Sequence, residues 1–258
     1  MNSDQNKGER IAKVIARAGI CSRRDAERYI GDGRVSVNGT VLTSPACLVS
    51  ARDDIRVDGK PLPAKEQTRV WRYHKPAGLV TSHKDPEGRK TVFDNLPQGL
   101  PRVISIGRLD LNSEGLLLLT NDGAFARAME HPSTGWVRRY RVRIHGRMTP
   151  EIVKKLADGV CIEGVRYAAA HVVIDKEQGT NCWLTVSLKE GKNREIRRLM
   201  EFFGFQVTRL IRIAYGPFQL GSLAEGEADE VTGKALQEQL GGKIELNLPK
   251  HRRPKKPA

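Results

Sequence analysis

The residues best suited to chemistry are Arg108 and Asp110, in the stretch Ser105-Ile106-Gly107-Arg108-Leu109-Asp110. An ionised aspartate can act as a nucleophile or as a general base. A β-prone approach, Val103 to Ile106, leads into the pair, and a polar break at Asn112-Ser113-Glu114-Gly115 follows it. An apolar run, Leu116 to Leu119, then closes at Asn121-Asp122-Gly123. Short apolar runs bounded by turn residues predict buried strands. Asp110 therefore sits where a strand leaves the core, a common station for reactive side chains on a rigid scaffold. On residue types alone, a loop aspartate bonded to local amides remains the plain alternative. Glu114 is the sole near carboxylate, whereas glycosidases pair two acids and nucleases recruit metals through several.

The long contiguous stretch Gly107-Arg108-Leu109-Asp110 followed by Ser113 to Gly123 resembles the catalytic motif of the RsuA/RluB/RluE/RluF family of ribosomal RNA pseudouridine synthases. The Lys75-Pro76-Ala77-Gly78 segment resembles the opening motif of the same core. The resemblance implies isomerisation of a uridine, with Asp110 as the essential carboxylate and Arg108 filling the vacated stack or holding the displaced strand. It implies no redox cofactor, because the product is an isomer of the substrate. Tyr140 matches a family tyrosine that stacks on the target base. From spacing alone, Tyr140 belongs to an alternating strand, Val137 to Ile144, and could equally be core. Glu190-Gly191-Lys192-Asn193-Arg194-Glu195-Ile196-Arg197 resembles the third family motif, in which an arginine near a helix start pairs with the catalytic carboxylate. Position by position that residue is Arg197, with Arg194 a phosphate contact. Read without the family, such basic faces are ordinarily just solvated.

Upstream, Ile11, Val14, Ile15 and Ala18 have helical spacing, and Arg10, Lys13 and Arg17 form a basic stripe. Ser22 is placed to cap a second helix, with Asp25 three positions on. Arg23, Arg24, Arg28 and Arg34 add positive charge before an Asn38-Gly39 hairpin turn. Ala18 to Glu27 together with Gly33 to Gly39 resembles an S4 RNA-binding domain, which implies that these cations meet phosphates of folded RNA. Asp53 to Gln67 reads as a linker.

The expected architecture is α+β. An S4 domain over residues 9–67 precedes a pseudouridine synthase domain over 68–241, whose mixed, mainly antiparallel sheet is flanked by helices. Thr149 and Asn193 are expected to cap helices. A basic tail over 242–258 should be disordered.

The chain has 44 Lys and Arg against 30 Asp and Glu, a net charge of +14, which favours polyanionic partners. No stretch approaches a membrane span, and the first residues begin no secretory signal, so a cytoplasmic protein is expected. The sequence says little about oligomeric state, and a monomer is the default. Cys21, Cys47, Cys161 and Cys182 lie apart and are expected to be buried thiols. No His or Cys cluster has metal-ligand spacing, so no metal is expected; His74 and His83 are the nearest candidates. Within the family, Gly19 to Arg24 and the basic tail look most like the RluB branch. That branch implies 23S ribosomal RNA near the peptidyl transferase centre. A 16S-modifying enzyme of the same family and a non-enzymatic S4 ribosome-assembly factor are the rivals.

Overall fold

A computed structural model of the chain describes residues 8–64, 66–240 and 244. The described residues form two compact units that divide between Thr68 and Arg69. The expected basic tail lies outside the described residues, Ile244 excepted.

In the first unit, β1 (Glu9–Arg10) leads into α1 (Ile11–Arg17), and α2 (Arg23–Gly31) follows. Ser22 caps α2 as its sequence requires. Its Oγ accepts from the Asp25 amide at 3.1 Å and donates to the Asp25 carboxylate at 2.6 Å. Strands β2 (Val35–Val37) and β3 (Thr40–Val41) meet at the Asn38-Gly39 turn, where both residues have positive φ. Next come β4 (Leu48–Val49), paired with β1, then β5 (Ile55–Val57) and β6 (Lys60–Pro61). The sheet order is β3-β2-β5-β6, and Ile11, Ile15, Ala26, Ile30, Val35, Ile55 and Val57 fill the core beneath it. The linker expected from Asp53 onward is in part a second hairpin. Asp58-Gly59 is its turn, with φ of 51° and 74°, a two-residue signal equivalent to Asn-Gly.

The second unit begins with β7 (Val70–Lys75), β8 (Ile104–Ile106), β9 (Glu114–Thr120) and α3 (Gly123–Glu130). It continues with β10 (Arg138–His145), α4 (Pro150–Asp158), and the hairpin β11 (Val160–Ile162) and β12 (Val165–Tyr167). After β13 (His171–Gln178) and β14 (Asn181–Leu188) come α5 (Glu195–Phe202), β15 (Gln206–Tyr215) and β16 (Phe218–Gln219). The unit closes with β17 (Ala228–Val231) and α6 (Gly233–Leu240). The main sheet runs β13-β14-β10-β15-β9-β7-β17, with β16 on β15 and β8 on β9. Every pairing is antiparallel except β15 with β9, so the sheet is mixed and mainly antiparallel.

Alternation decides which face each side chain takes. Leu116 and Leu118 of β9 pack with Phe125, Met129, Tyr215 and Leu236 on one face. Leu117 and Leu119 pack with Trp71, Tyr73, Leu79 and Val103 on the other. Toward β14, Val142, Ile144, Leu184 and Val186 support Leu156 of α4 and Ile196, Leu199 and Met200 of α5. Tyr140 is half-buried and packs against both of the latter two clusters.

Two capping expectations fail. Thr149 precedes α4 but makes no side-chain cap bond. Asn193 does not cap α5: Arg194 holds that place in the left-handed conformation, φ 51°, and the Glu195 carboxylate accepts from the Lys192 amide instead. The cysteines also divide. Cys21 and Cys182 are buried, whereas Cys47 is half-buried and Cys161 is exposed on the short β11 edge.

The parallel seam is tight at Gly115, which lies opposite Arg212. Its φ is +99°, and a Cβ there would lie 2.3 Å from the Arg212 carbonyl oxygen. Gly115→Ala should therefore cost at least about 2 kcal/mol, combining strain with overpacking. Urea denaturation measures it, and a loss below about 0.5 kcal/mol, the range of neutral surface changes, would show that the two strands part freely.

Candidate active site

The segment from Leu109 to Ser113 leaves β8 and turns into β9, and its carbonyls are bonded one after another. The Thr81 hydroxyl donates to the Leu109 carbonyl at 2.8 Å and accepts from the Leu109 amide at 3.3 Å. The Asp110 carbonyl accepts from the Ser113 amide, and the Leu111 carbonyl from the Gly78 amide. Arg197 Nη2 donates to the Asn112 carbonyl at 2.9 Å. Lys75 Nζ donates to the carbonyls of Ser113 (2.9 Å), Pro76 (2.9 Å) and Leu111 (3.3 Å). Just before this segment, the Gly107 amide donates to Glu130 at 2.6 Å.

Asp110 itself is half-buried, and its carboxylate makes no hydrogen bond or ion pair among the described residues. It lines a cleft of about 690 Å³, within the ~300–1,000 Å³ of small-molecule sites. Tyr140, Arg138, Arg194, Glu195, Arg212 and Tyr215 share that lining with Arg108 and Thr81.

Of the residues singled out from the sequence, the cleft thus brings together Asp110, Arg108, Tyr140 and Arg194. Arg197 reaches the same segment differently from the expected pairing. Its two amino groups are taken by the carbonyls of Val207 (3.2 Å) and Asn112, so it braces the main chain beside Asp110 and makes no ion pair with the carboxylate. Burial and then Arg194 push the Arg197 guanidinium down from its ordinary pKa, while Asp110 opposes them.

In the first unit the cations divide by their partners. Lys13 and Arg17 both bind Glu9, at 2.7 and 2.6 Å, and hold its carboxyl down at about 2. Arg28 pairs with Asp25. Arg34 makes a two-point bond to Asp58 and stacks over Tyr29. Arg10, Arg23 and Arg24 are exposed and make no ion pair among the described residues.

Four contributors were given no role from the sequence, although Lys75 and Glu195 lie inside the quoted motifs. Lys75 is fully buried; burial pushes its ammonium down to about 8, against the pull of Asp110 and Glu114, so it stays charged at neutral pH. Thr81 lies in the loop between β7 and β8 and is buried. Arg212 is buried at 3% exposure on β15. Glu195 is buried as well, and burial followed by a hydrogen bond to Glu190 raises its carboxyl to about 7. Glu190 in turn pairs with Lys192 and accepts from the Ala168 amide at 2.7 Å. The signal for Lys75 was present: Trp71, Tyr73 and Lys75 occupy one face of a strand by alternation, so the lysine takes a core-facing position.

A family model for RNA pseudouridylate synthase matches residues 69–202, and one for the S4 domain matches residues 9–55. The chain belongs to the RNA pseudouridylate synthase family and is an isomerase acting on RNA. It is 52% identical over 226 residues to an uncharacterized RNA pseudouridine synthase of Rickettsia bellii, covering 88% of this chain and 98% of that protein. It is 44% identical over 219 residues to the ribosomal large subunit pseudouridine synthase B of Yersinia pestis, covering 83% and 69%. Among solved structures, the crystal structure of a pseudouridylate synthase matches with a TM-score of 0.64 at 26% identity, over 90% of this chain and 99% of that one. Among the described residues, no helix is long and apolar enough to cross a membrane.

Glu195 carries a pH prediction. Its folded pKa, about 7, exceeds the ordinary 4.5, so its stabilising contribution is complete below pH 4.5 and is lost as pH rises through 7. Glu195→Gln keeps a donor toward Glu190 but cannot ionise. Between pH 5 and pH 8 the wild-type melting temperature should therefore fall further than the variant's. Parallel melting profiles would show that the carboxyl does not titrate in this range.

Proposed function

We propose that the protein converts one uridine of 23S ribosomal RNA, in the peptidyl transferase centre region, to pseudouridine, with Asp110 as the essential carboxylate. What carries this reading is the unpartnered Asp110 carboxylate, set on a loop whose carbonyls are all bonded, inside a cleft beside Tyr140. The large-subunit target is supported by the relatives named ribosomal large subunit pseudouridine synthase B, at 42–44% identity.

The reaction breaks the bond from ribose C1′ to uracil N1, turns the base and joins C1′ to C5. The C5 proton leaves and N1 gains one, so no other reactant is consumed. Asp110 acts either by attacking C1′ or by removing the C2′ proton, and both routes need it ionised. Lys75 and Arg197 both lie within electrostatic reach of Asp110. Reaching the sugar requires extruding the nucleotide, which costs a few kcal/mol. Tyr140 offers a ring on which the flipped base stacks. Arg108, exposed at the cleft mouth, occupies the space the base leaves, and Arg194 meets phosphate.

Residues 9–67 serve as the S4 RNA-binding domain and residues 68–241 as the catalytic domain. Arg10, Arg23 and Arg24 are the strongest phosphate contacts in this scheme, because Lys13, Arg17, Arg28 and Arg34 already have acidic partners. The protein works as a cytoplasmic monomer without a cofactor.

Asp110→Asn should abolish pseudouridine formation on a 23S fragment, read by mapping the modified base, while RNA affinity changes less than about threefold, roughly 0.7 kcal/mol. Comparable turnover by the variant would remove Asp110 from its role. Neutralising Arg10, Arg23 and Arg24 together should weaken RNA binding and reduce the slope of log K against log salt by about 2–3. The same change at Lys13 and Arg17 should move it less; an equal effect would show that Glu9 does not mask them.

A further inference from the structure

Arg212 is a buried charge without a full set of partners. Its Nε donates to the Leu116 carbonyl at 2.7 Å, yet neither amino group meets an acceptor among the described residues. A guanidinium carries five donors, and leaving such groups unpaired in the interior is costly. Arg212 lines the Asp110 cleft, and its charge is felt by Lys75 together with that of Asp110.

Its neighbour across the sheet is Tyr140: the two residues are register partners on β15 and β10, next to an irregularity between Arg139 and Tyr140. Directly opposed residues of an antiparallel pair project to the same face with their Cβ atoms about 4.5–5.5 Å apart. A base stacked on Tyr140 therefore presents its edge within reach of the guanidinium. On its other side Arg212 faces Gly115, which has no side chain to compete for that space.

We infer that Arg212 is a specificity residue that donates from its free amino groups to a carbonyl oxygen of the flipped uracil. The inference rests on the reading of this cleft as the active site. Uracil offers acceptors at both O2 and O4, and Arg212 can only donate. The turn that replaces N1 by C5 is a half-rotation about the N3–C6 axis, which also exchanges O2 and O4. A donor fixed in the protein thus meets a carbonyl before and after the turn and can hold the base through both bond changes. Cytosine carries an amino donor at C4 and clashes with Arg212 in one of the two orientations.

The test measures single-turnover isomerisation of RNA carrying uridine, 2-thiouridine or 4-thiouridine at the target, since sulfur is a weaker acceptor. The wild-type protein should be slowed about 10- to 100-fold on at least one thio substrate, the span of one hydrogen bond to a charged group. Arg212→Met, checked for folding by its melting transition, should be slow on uridine and lose no further rate on that thio substrate. A penalty of intrinsic chemical origin would persist in the variant, and an undiminished penalty there overturns the assignment. Equal wild-type rates on all three RNAs overturn it too, and that comparison needs no variant. Asp110→Asn run alongside separates the two readings. Turnover by it removes the active-site assignment, whereas an inactive Asp110→Asn with a persistent thio penalty in Arg212→Met removes only Arg212.

Discussion

Everything at the cleft depends on how the main chain between Leu109 and Ser113 is held. An unpaired buried carbonyl is costly, so a loop leaving a sheet must find donors or reach water. Here Thr81, the Gly78 amide, Lys75 and Arg197 supply those donors from separate parts of the chain. Two of the four are cations, and hydrogen bonds from charged donors are roughly twice as strong as neutral ones. The arrangement also works in reverse. A buried ammonium is expensive unless surrounded by acceptors, and Lys75 has three carbonyls with the carboxylates of Asp110 and Glu114 nearby. Two of the groups that fix the loop, Lys75 and Arg197, therefore also interact electrostatically with Asp110.

The cleft itself follows from the sheet. A sheet made of hairpins alone would pack each face without a break. The lone parallel pairing, β15 beside β9, joins two antiparallel halves, and the apolar clusters on one face belong to different halves. Gly115 allows the close approach at this seam, and Arg209 ties it from outside with a two-point bond to Glu114. Arg212 lies at the seam with Tyr140 beside it on β10, and the Asp110 loop enters just ahead of β9.

Much of this was legible in the sequence where local signals and tertiary demands agree. The Asn38-Gly39 hairpin, the Ser22 cap and the alternation from Tyr140 to Ile144 depend on neighbours close in the chain. The motif around Asp110 was equally clear because its residues are contiguous. The misses share one feature, since each turns on a bonding partner that hydrophobic patterning does not announce. Asn193 has a good capping side chain, but Glu195 and the left-handed Arg194 satisfy the helix start instead. Arg197 was expected to reach a carboxylate, yet two carbonyls that no pattern announces claim its amino groups. Lys75 and Arg212 look like ordinary surface charges until alternation is followed through Trp71 and Tyr73, or through Leu210 and Ala214, to show that they occupy interior positions.

A site whose loop carbonyls are all bonded by the chain itself constrains how the proposed catalysis is driven. With Asp110 already held and its loop carbonyls satisfied, little interaction energy is spent on organising the enzyme when substrate arrives. In the proposed reaction the remaining large cost is extraction of the nucleotide, which the interior of the cleft cannot meet before the base has entered it. That cost must be offset by contacts made earlier and elsewhere on the RNA, so binding remote from the reacting sugar becomes part of the rate. Unpaired cations suit this task better than paired ones, because an arginine already bound to an acid must give up one partner to gain another. On the function proposed above, Arg10, Arg23 and Arg24 would therefore contribute more than the larger basic inventory of the first unit implies.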